Sequence, residues 1–247
     1  MSSQPVATDP RAAAAAPERR NLANQRQKAQ RLRTRERLID GAIAVFSSRG
    51  YADTTTADIL QSAGVSRASF YAHFAGKGAV AGAIADRFAP VWQPLYAQLC
   101  AFDRPLLEPL TRWCGDHVQL YREHQAVCII LTQAAAIERS LYWQLAAAQD
   151  RLIDELAQGR MGLDHLAHDE AARTRAALAL SQIDHACYFL AIRRWDIDPQ
   201  AGIAEMGMQL CHFLEQEVAR GRPAAGHGGI GSQRCAGTGA SDGDDLY

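Results

Sequence analysis

From Leu38 to Leu214 the apolar residues of this chain recur at intervals of three and four, and runs alternating apolar with polar are almost absent. That spacing stacks side chains along one face of a 3.6-residue helix, so it argues against a sheet scaffold and predicts an all-α protein. Helices are expected over about 31–49, as a short pair between 55 and 74, and then over 78–101, 106–124, 127–136, 138–158, 169–195 and 199–219. Gly50 supplies the stop of the first, since glycine accepts the left-handed conformation a helix end wants. Pro90 and Pro94 fall inside 78–101 and predict a kink or break there. No run of 18 or more apolar residues occurs, so no membrane span is expected, and the chain is placed in the cytoplasm.

The ends differ from this interior. Residues 1–30 are rich in Ala, Pro, Gln and Arg without an apolar stripe and read as a flexible basic arm; 221–247, rich in Gly, Ser, Asp and Ala, reads as a disordered tail. The formal charge of −1 hides an asymmetry. Residues 1–80 hold 12 Lys and Arg against 6 Asp and Glu, while the remainder holds 14 against 21. A basic first segment on an acidic body points to a polyanion met by the first segment. Arg19, Arg20, Arg26, Lys28, Arg31, Arg33, Arg35 and Arg37 cluster before and into the first helix, either as a solvated start or as extra phosphate contacts.

Several signals are set aside. The six cysteines make no C-x-x-C pair and suit no zinc spacing, so they read as reduced and mostly buried. Gly226 to Gly231 spell G-x-G-x-x-G, yet no strand precedes and no helix follows, so the requirements of a dinucleotide site are missing. His165 and His168, between Asp164 and Asp169, read as loop and cap residues, because a zinc site wants three or four placed ligands. Asp242, Asp244 and Asp245 read as solvated tail. There is no G-x-S-x-G elbow, Walker loop or H-E-x-x-H, and no acid–base pair spaced for a cleft. The chain is therefore read as a non-enzyme with no cofactor and no metal.

The informative stretch is Thr54 to Lys77, T-T-T-A-D-I-L-Q-S-A-G-V-S-R-A-S-F-Y-A-H-F-A-G-K. Thr55 with Asp58 three residues on makes a capping box, Ile59, Leu60 and Ala63 give the short helix an apolar side, and Gly64 supplies a tight turn. Ser66 is a second N-cap, and Val65 with Phe70 matches a hydrophobic staple. Phe70 and Phe74, four apart, face a small core, which leaves Arg67, Ala68, Ser69, Tyr71 and His73 toward solvent. Two short helices joined at a glycine turn form a helix-turn-helix, whose second helix enters the major groove. Arg67 suits guanine and Ser69 suits a base or phosphate; Tyr71, His73 and Lys77 suit phosphate oxygens.

With A-V-F-S-S-R-G-Y before it, this stretch resembles the DNA-binding domain of the tetracycline-repressor-type (TetR) family of bacterial regulators over residues 34–80. The resemblance implies DNA contacts at Thr56, Ser66, Arg67, Ala68, Ser69, Tyr71, His73 and Lys77. Leu60 departs from a small Ala at its place, and Gly78 from a frequent acidic residue. The domain organisation expected is a flexible basic arm over 1–30, a three-helix DNA-binding domain with the helix-turn-helix over 31–80, a larger helical ligand-binding and dimerisation domain over 81–220, and a tail from 221.

The body carries no motif of its own. By resemblance it binds a small-molecule effector and forms a homodimer through its last two long helices, 169–195 and 199–219, both apolar on most sides. Candidate pocket residues are Trp92, Tyr96, Trp113, His117, Tyr121 and Trp143, of which Trp113, His117 and Tyr121 share a helix face; such a pocket suits a mostly apolar ligand. The expected function is a regulator of transcription on double-stranded operator DNA, a repressor released by that ligand. The alternative is a ligand-independent or architectural DNA-binding protein using the same head.

Overall fold

The computed structural model describes residues 10–193 and 197–222. Among these residues there are nine α-helices and no strand: α1 Pro10–Arg49, α2 Thr56–Ala63, α3 Arg67–Tyr71, α4 Lys77–Ala101, α5 Leu107–Glu123, α6 Gln125–Ala135, α7 Arg139–Gln158, α8 Glu170–Tyr188 and α9 Pro199–Gly221. A short 3₁₀ turn, Asp164–Ala167, precedes α8, and a π-type turn, Phe189–Arg193, extends it. The tail with its glycine motif, acidic run and Cys235 lies outside the described residues, as does the end of the helix expected over 169–195. Among the described residues no helix is long and apolar enough to cross a membrane.

Two expectations need correction. The first helix begins at Pro10, not near 31, so the segment read as a flexible arm is helical from that point. Residues 24 to 33 of α1 are exposed, and an exposed helix of Ala, Arg, Gln and Lys has good intrinsic propensity but no buried stripe for periodicity to detect. Of the kink or break expected at Pro90 and Pro94, the break is absent: α4 runs through both. One to two turns earlier, the Gln144 side-chain amide of α7 donates to the Gly82 carbonyl at 3.1 Å and to Asp86 at 2.7 Å. One turn later, Leu95 and Leu99 are buried. Packing on both flanks holds the helix where the prolines remove backbone donors.

The interior divides into two apolar cores, and α4 serves both. Val80, Ala81, Ala83 and Ile84 join Leu38, Ile39, Phe46, Tyr51, Ile59 and Phe70 in the first. Leu95 and Leu99 join α5, α7, α8 and α9 in the second, around Trp113, Ile153, Leu180 and Leu210. α6 belongs to the first core through Val127, Ile130, Leu131 and Ala134, so the small domain expected to end near residue 80 rests on a helix of the body. Cys114, Cys128, Cys187 and Cys211 are buried free thiols, and burial pushes Cys114 and Cys128 up to about 12. They are packing residues with little thiolate.

One buried charge closes the second core. Glu217 of α9 is fully buried and accepts two hydrogen bonds from Arg175 of α8 (2.7 and 2.9 Å), one from Arg220, and a 3.1 Å contact from His165 Nε2 of the 3₁₀ turn. Burial alone would raise its carboxyl, but the hydrogen bonds from Arg175, His165 and Arg220 outweigh it and hold the group at about 2. A carboxyl below its ordinary 4.5 adds stability that is present above 4.5 and is lost as pH falls toward 2. Because the arginines are partly exposed, Glu217→Gln is expected to lower urea stability at neutral pH by about 1–3 kcal/mol. Urea melts between pH 5 and 2.5 should show the wild type losing that advantage; an unchanged gap between the two proteins across this range would contradict the linkage.

Candidate nucleic-acid interface and ligand cavity

The head is assembled by caps at the places the sequence marks. Thr55 caps α2 through its hydroxyl and the Asp58 amide (3.3 Å), while Asp58 accepts from the Thr55 amide at 2.8 Å, completing the capping box. The Thr55 hydroxyl and amide, then Arg49 at 2.8 Å, hold the Asp58 carboxyl below its usual range. Gly64 ends α2 at φ +60°, ψ +41°, a left-handed geometry that a side chain would strain. Arg37 of α1 reaches across to the carbonyls of Ala63 (2.7 Å) and Gly64 (3.1 Å), the end of α2 that carries the negative pole. Ser66 caps α3, accepting from the Ser69 amide at 3.2 Å.

These caps fix which way α3 points. Phe70 and Phe74 are buried with ring centres 6.0 Å apart, and Val65 packs beside them. Ser66, Arg67, Ala68 and Tyr71 are exposed on the opposite side; Thr56, Ser69 and His73 are half-buried along its edge. The Arg67 guanidinium lies 5.7 Å from the centre of the Tyr71 ring, a cation–π contact that limits its wandering before any ligand arrives.

Lys77 differs from the rest. Its ammonium donates to the carbonyls of Tyr51 (3.1 Å), Ala52 (3.2 Å) and Thr54 (3.1 Å) and sits 4.7 Å above the Tyr51 ring. All three of its hydrogens have partners within the fold, so in this structure it clamps the turn before α2. Tyr51 in turn donates its hydroxyl to Glu138 (2.7 Å) and its amide to Gln133 (2.9 Å). Burial, then the Glu138 hydrogen bond and charge, push the phenol well above its ordinary range. The Glu138 carboxyl lies where a Cβ on Gly78 would reach, so a side chain there would displace it. Tyr51, Gln133 and Glu138 escaped sequence reasoning because their pairing spans more than 80 residues.

The body holds a cavity of about 500 Å³ between α4, α5, α6, α7 and α8. Trp92, Tyr96, Trp113, His117 and Tyr121 line it. Trp113, His117 and Tyr121 step along α5 with ring centres 5.1 and 5.5 Å apart, and Trp92 stacks on Tyr121 at 6.2 Å. Trp143 does not belong: it is 57% exposed on α7, edge-on to Tyr142, because that helix buries the face of Leu141, Leu152 and Leu156 instead. The polar residues Asp184, Gln149 and Thr132 line the cavity and were missed, since nothing local separates them from ordinary surface positions. Among the described residues no group of three His, Cys, Asp or Glu is placed to hold a metal.

Comparison with known proteins places the head. Residues 38–84 match the family model of bacterial regulatory proteins of the tetR family. The chain is 29% identical over 90 residues to the HTH-type transcriptional regulator AcrR of Shigella flexneri, covering 36% of this chain and 37% of that protein. It is 48% identical over 44 residues to the HTH-type transcriptional regulator SrpR of Pseudomonas putida, covering 18% and 21%. The chain thus spans between about a fifth and two fifths of the curated relatives it matches. In fold it is similar to a Syntrophomonas wolfei protein described as a TetR-family transcriptional regulator (TM-score 0.55, 16% identity, 76% of this chain and 95% of that one). It is also similar to the fatty acid degradation regulator FadR of Bacillus halodurans (TM-score 0.53, 17% identity, 72% and 94%). Residues 38–84 therefore resemble the N-terminal domain of the tetR family of bacterial regulatory proteins, carried on a chain similar in fold to a protein described as a regulator of that family.

Proposed function

We propose that this chain is a sequence-specific transcriptional repressor that binds operator DNA as a twofold dimer and leaves it when a small molecule fills the cavity of the body. The observation that carries the reading is the orientation of α3: two caps and two buried phenylalanines leave Arg67, Ala68 and Tyr71 facing outward. Arg67 then reads guanine in the major groove; Ser69 bonds a base or phosphate; Thr56, Ser66, Tyr71 and His73 contact phosphates and set register. Lys77 supports them by fixing the turn before α2.

Dimer formation is favoured by the apolar groove between α8 and α9. It is lined by Ala179, Ile183, Met206, Leu210 and Phe213, with Leu178 66% exposed on its rim and Met208 nearby on α9 47% exposed. A second copy seated there would cover this surface and set two reading helices on a pseudo-palindrome. Release by a ligand requires that it bind the DNA-competent arrangement less well than another. α4, which lines the cavity and supports the head core, is the element through which the two arrangements would differ.

Selection from random duplexes should return a pseudo-palindromic site bound by the wild type. Arg67→Ala with Tyr71→Ala should abolish that preference in a gel shift while melting like the wild type, since both side chains are exposed. Recovery of no preferred sequence, or diffuse protection in footprinting, would favour an architectural DNA-binding protein instead. Lys77→Met should behave in the opposite way, lowering urea stability by about 1–3 kcal/mol because three carbonyls are left without their donor.

The exposed cations on the N-terminal part of α1 extend the same surface. Arg33 lies one turn before Arg37, which grips the α2–α3 turn, and Arg31 one turn before Arg35, which lies 5.4 Å from the Phe74 ring. Replacing Arg26, Lys28, Arg31 and Arg33 by Gln should flatten the slope of log K against log salt by about 0.9 for each phosphate no longer neutralised, leaving sequence preference intact. An unchanged slope would make this part of α1 a solvated start only.

A further inference from the structure

The cavity in the body is lined by donors on Trp92, Gln93, Tyr96, Tyr121 and Arg151 and by a group of acceptors on α5, α6, α7 and α8. His117 is 2% exposed and its Nε2 lies 3.3 Å from Asp184 Oδ1, so a neutral ring places its hydrogen on Nε2 and leaves Nδ1 as a lone pair. That Nδ1 is buried without a hydrogen-bond partner. Gln149 donates its amide hydrogens to the Ala177 carbonyl and the Ser181 hydroxyl, both at 3.0 Å, which turns its carbonyl oxygen into the free end. Thr132 donates its hydroxyl to the Cys128 carbonyl at 2.8 Å, leaving only lone pairs. With a neutral ring, the carboxylate, ring nitrogen, amide oxygen and hydroxyl oxygen are all acceptors; the His117 nitrogen is the buried one, and a buried acceptor left unfilled is costly, whereas Asp184 and Gln149 are half-buried and Thr132 is exposed.

The charge points the same way. Among the described residues the ion-pair partner of Asp184 is His117, and its carboxylate also accepts a hydrogen bond from the Tyr96 hydroxyl. Its field reaches across the cavity: after burial, it is the next influence raising Tyr96, Tyr121, Cys128 and Cys187, each a group that would become negative. Arg151 and Glu155, both exposed lining residues, carry opposite signs and offset one another. The walls include the rings of Trp92, Tyr96, Trp113 and Tyr121, whose faces attract cations as well as apolar groups.

We infer that this cavity, if it is the effector site proposed above, selects a hydrophobic organic cation bearing N–H donors: an ammonium or amidinium group on an apolar or aromatic body. The cationic group would sit between the aromatic rings and Asp184, and an N–H would fill His117 Nδ1. A carboxylate ligand of the same shape would meet the like charge of Asp184 and is selected against.

Three probes sharing one body test this: biphenyl-4-ylmethylammonium, biphenyl-4-ylmethanol and biphenyl-4-carboxylate, titrated calorimetrically into the full chain at neutral pH. The expected order is ammonium, alcohol, carboxylate, with the ammonium tighter than the alcohol by about tenfold or more. Asp184→Asn, nearly isosteric, should reduce ammonium affinity to that of the alcohol while leaving the alcohol within about twofold of its wild-type affinity. The inference is overturned if the alcohol or carboxylate equals the ammonium in the wild type, if the ammonium shows no saturable binding, or if its preference survives in Asp184→Asn. The wild-type ranking stands without any variant. Gel shifts run beside it separate the two readings: an ammonium that binds without releasing DNA refutes the effector role and leaves the ligand class, whereas intact DNA recognition with no ammonium binding refutes the ligand class alone.

Discussion

α4 is shared by two hydrophobic cores, and the rest of the molecule is arranged around that constraint. Its first half is buried with α1, α2, α3 and α6, its second with α5, α7, α8 and α9. A helix packed to interior density at both ends is a stiff connection, since neither core accepts a small displacement without opening voids. The two prolines lie in the stretch between the cores, where backbone donors are missing and the helix is held by its neighbours. This is where a bend would cost least.

The polar interactions follow the same division of labour. Lys77, at the first residue of α4, binds three carbonyls of the turn leading to α2, so the start of this helix and the reading head move as one. Tyr51 passes that connection to α6 and the start of α7 through Gln133 and Glu138. At the far end, Glu217 gathers Arg175, Arg220 and His165 and fixes α9 against α8 and the 3₁₀ turn. Breaking either cluster leaves buried polar atoms unmatched, which is why such groups specify one packing over its alternatives.

Legibility differed sharply between head and body. Thr55, Asp58, Gly64, Ser66, Phe70 and Phe74 interact within a few residues of one another, and each took the role its local chemistry predicts. In the body, helix faces were readable but not what lies opposite them. Trp113, His117 and Tyr121 share a face by simple periodicity and line the cavity together, whereas Trp143 had only its residue type to recommend it. Asp184 is a polar residue on an Ala-rich helix, and only the approach of α5 places it beside His117.

The sequence by itself determined the helical class, nearly every element, and the orientation of the reading helix, because capping, turn chemistry and apolar periodicity act over three or four residues. Tertiary structure alone decided that α6 supports the head, that Lys77 binds three carbonyls of the turn before α2, and that Asp184 meets His117 in the cavity wall. Each of those depends on which helices meet, a matter of summed burial over the whole chain that no local window contains.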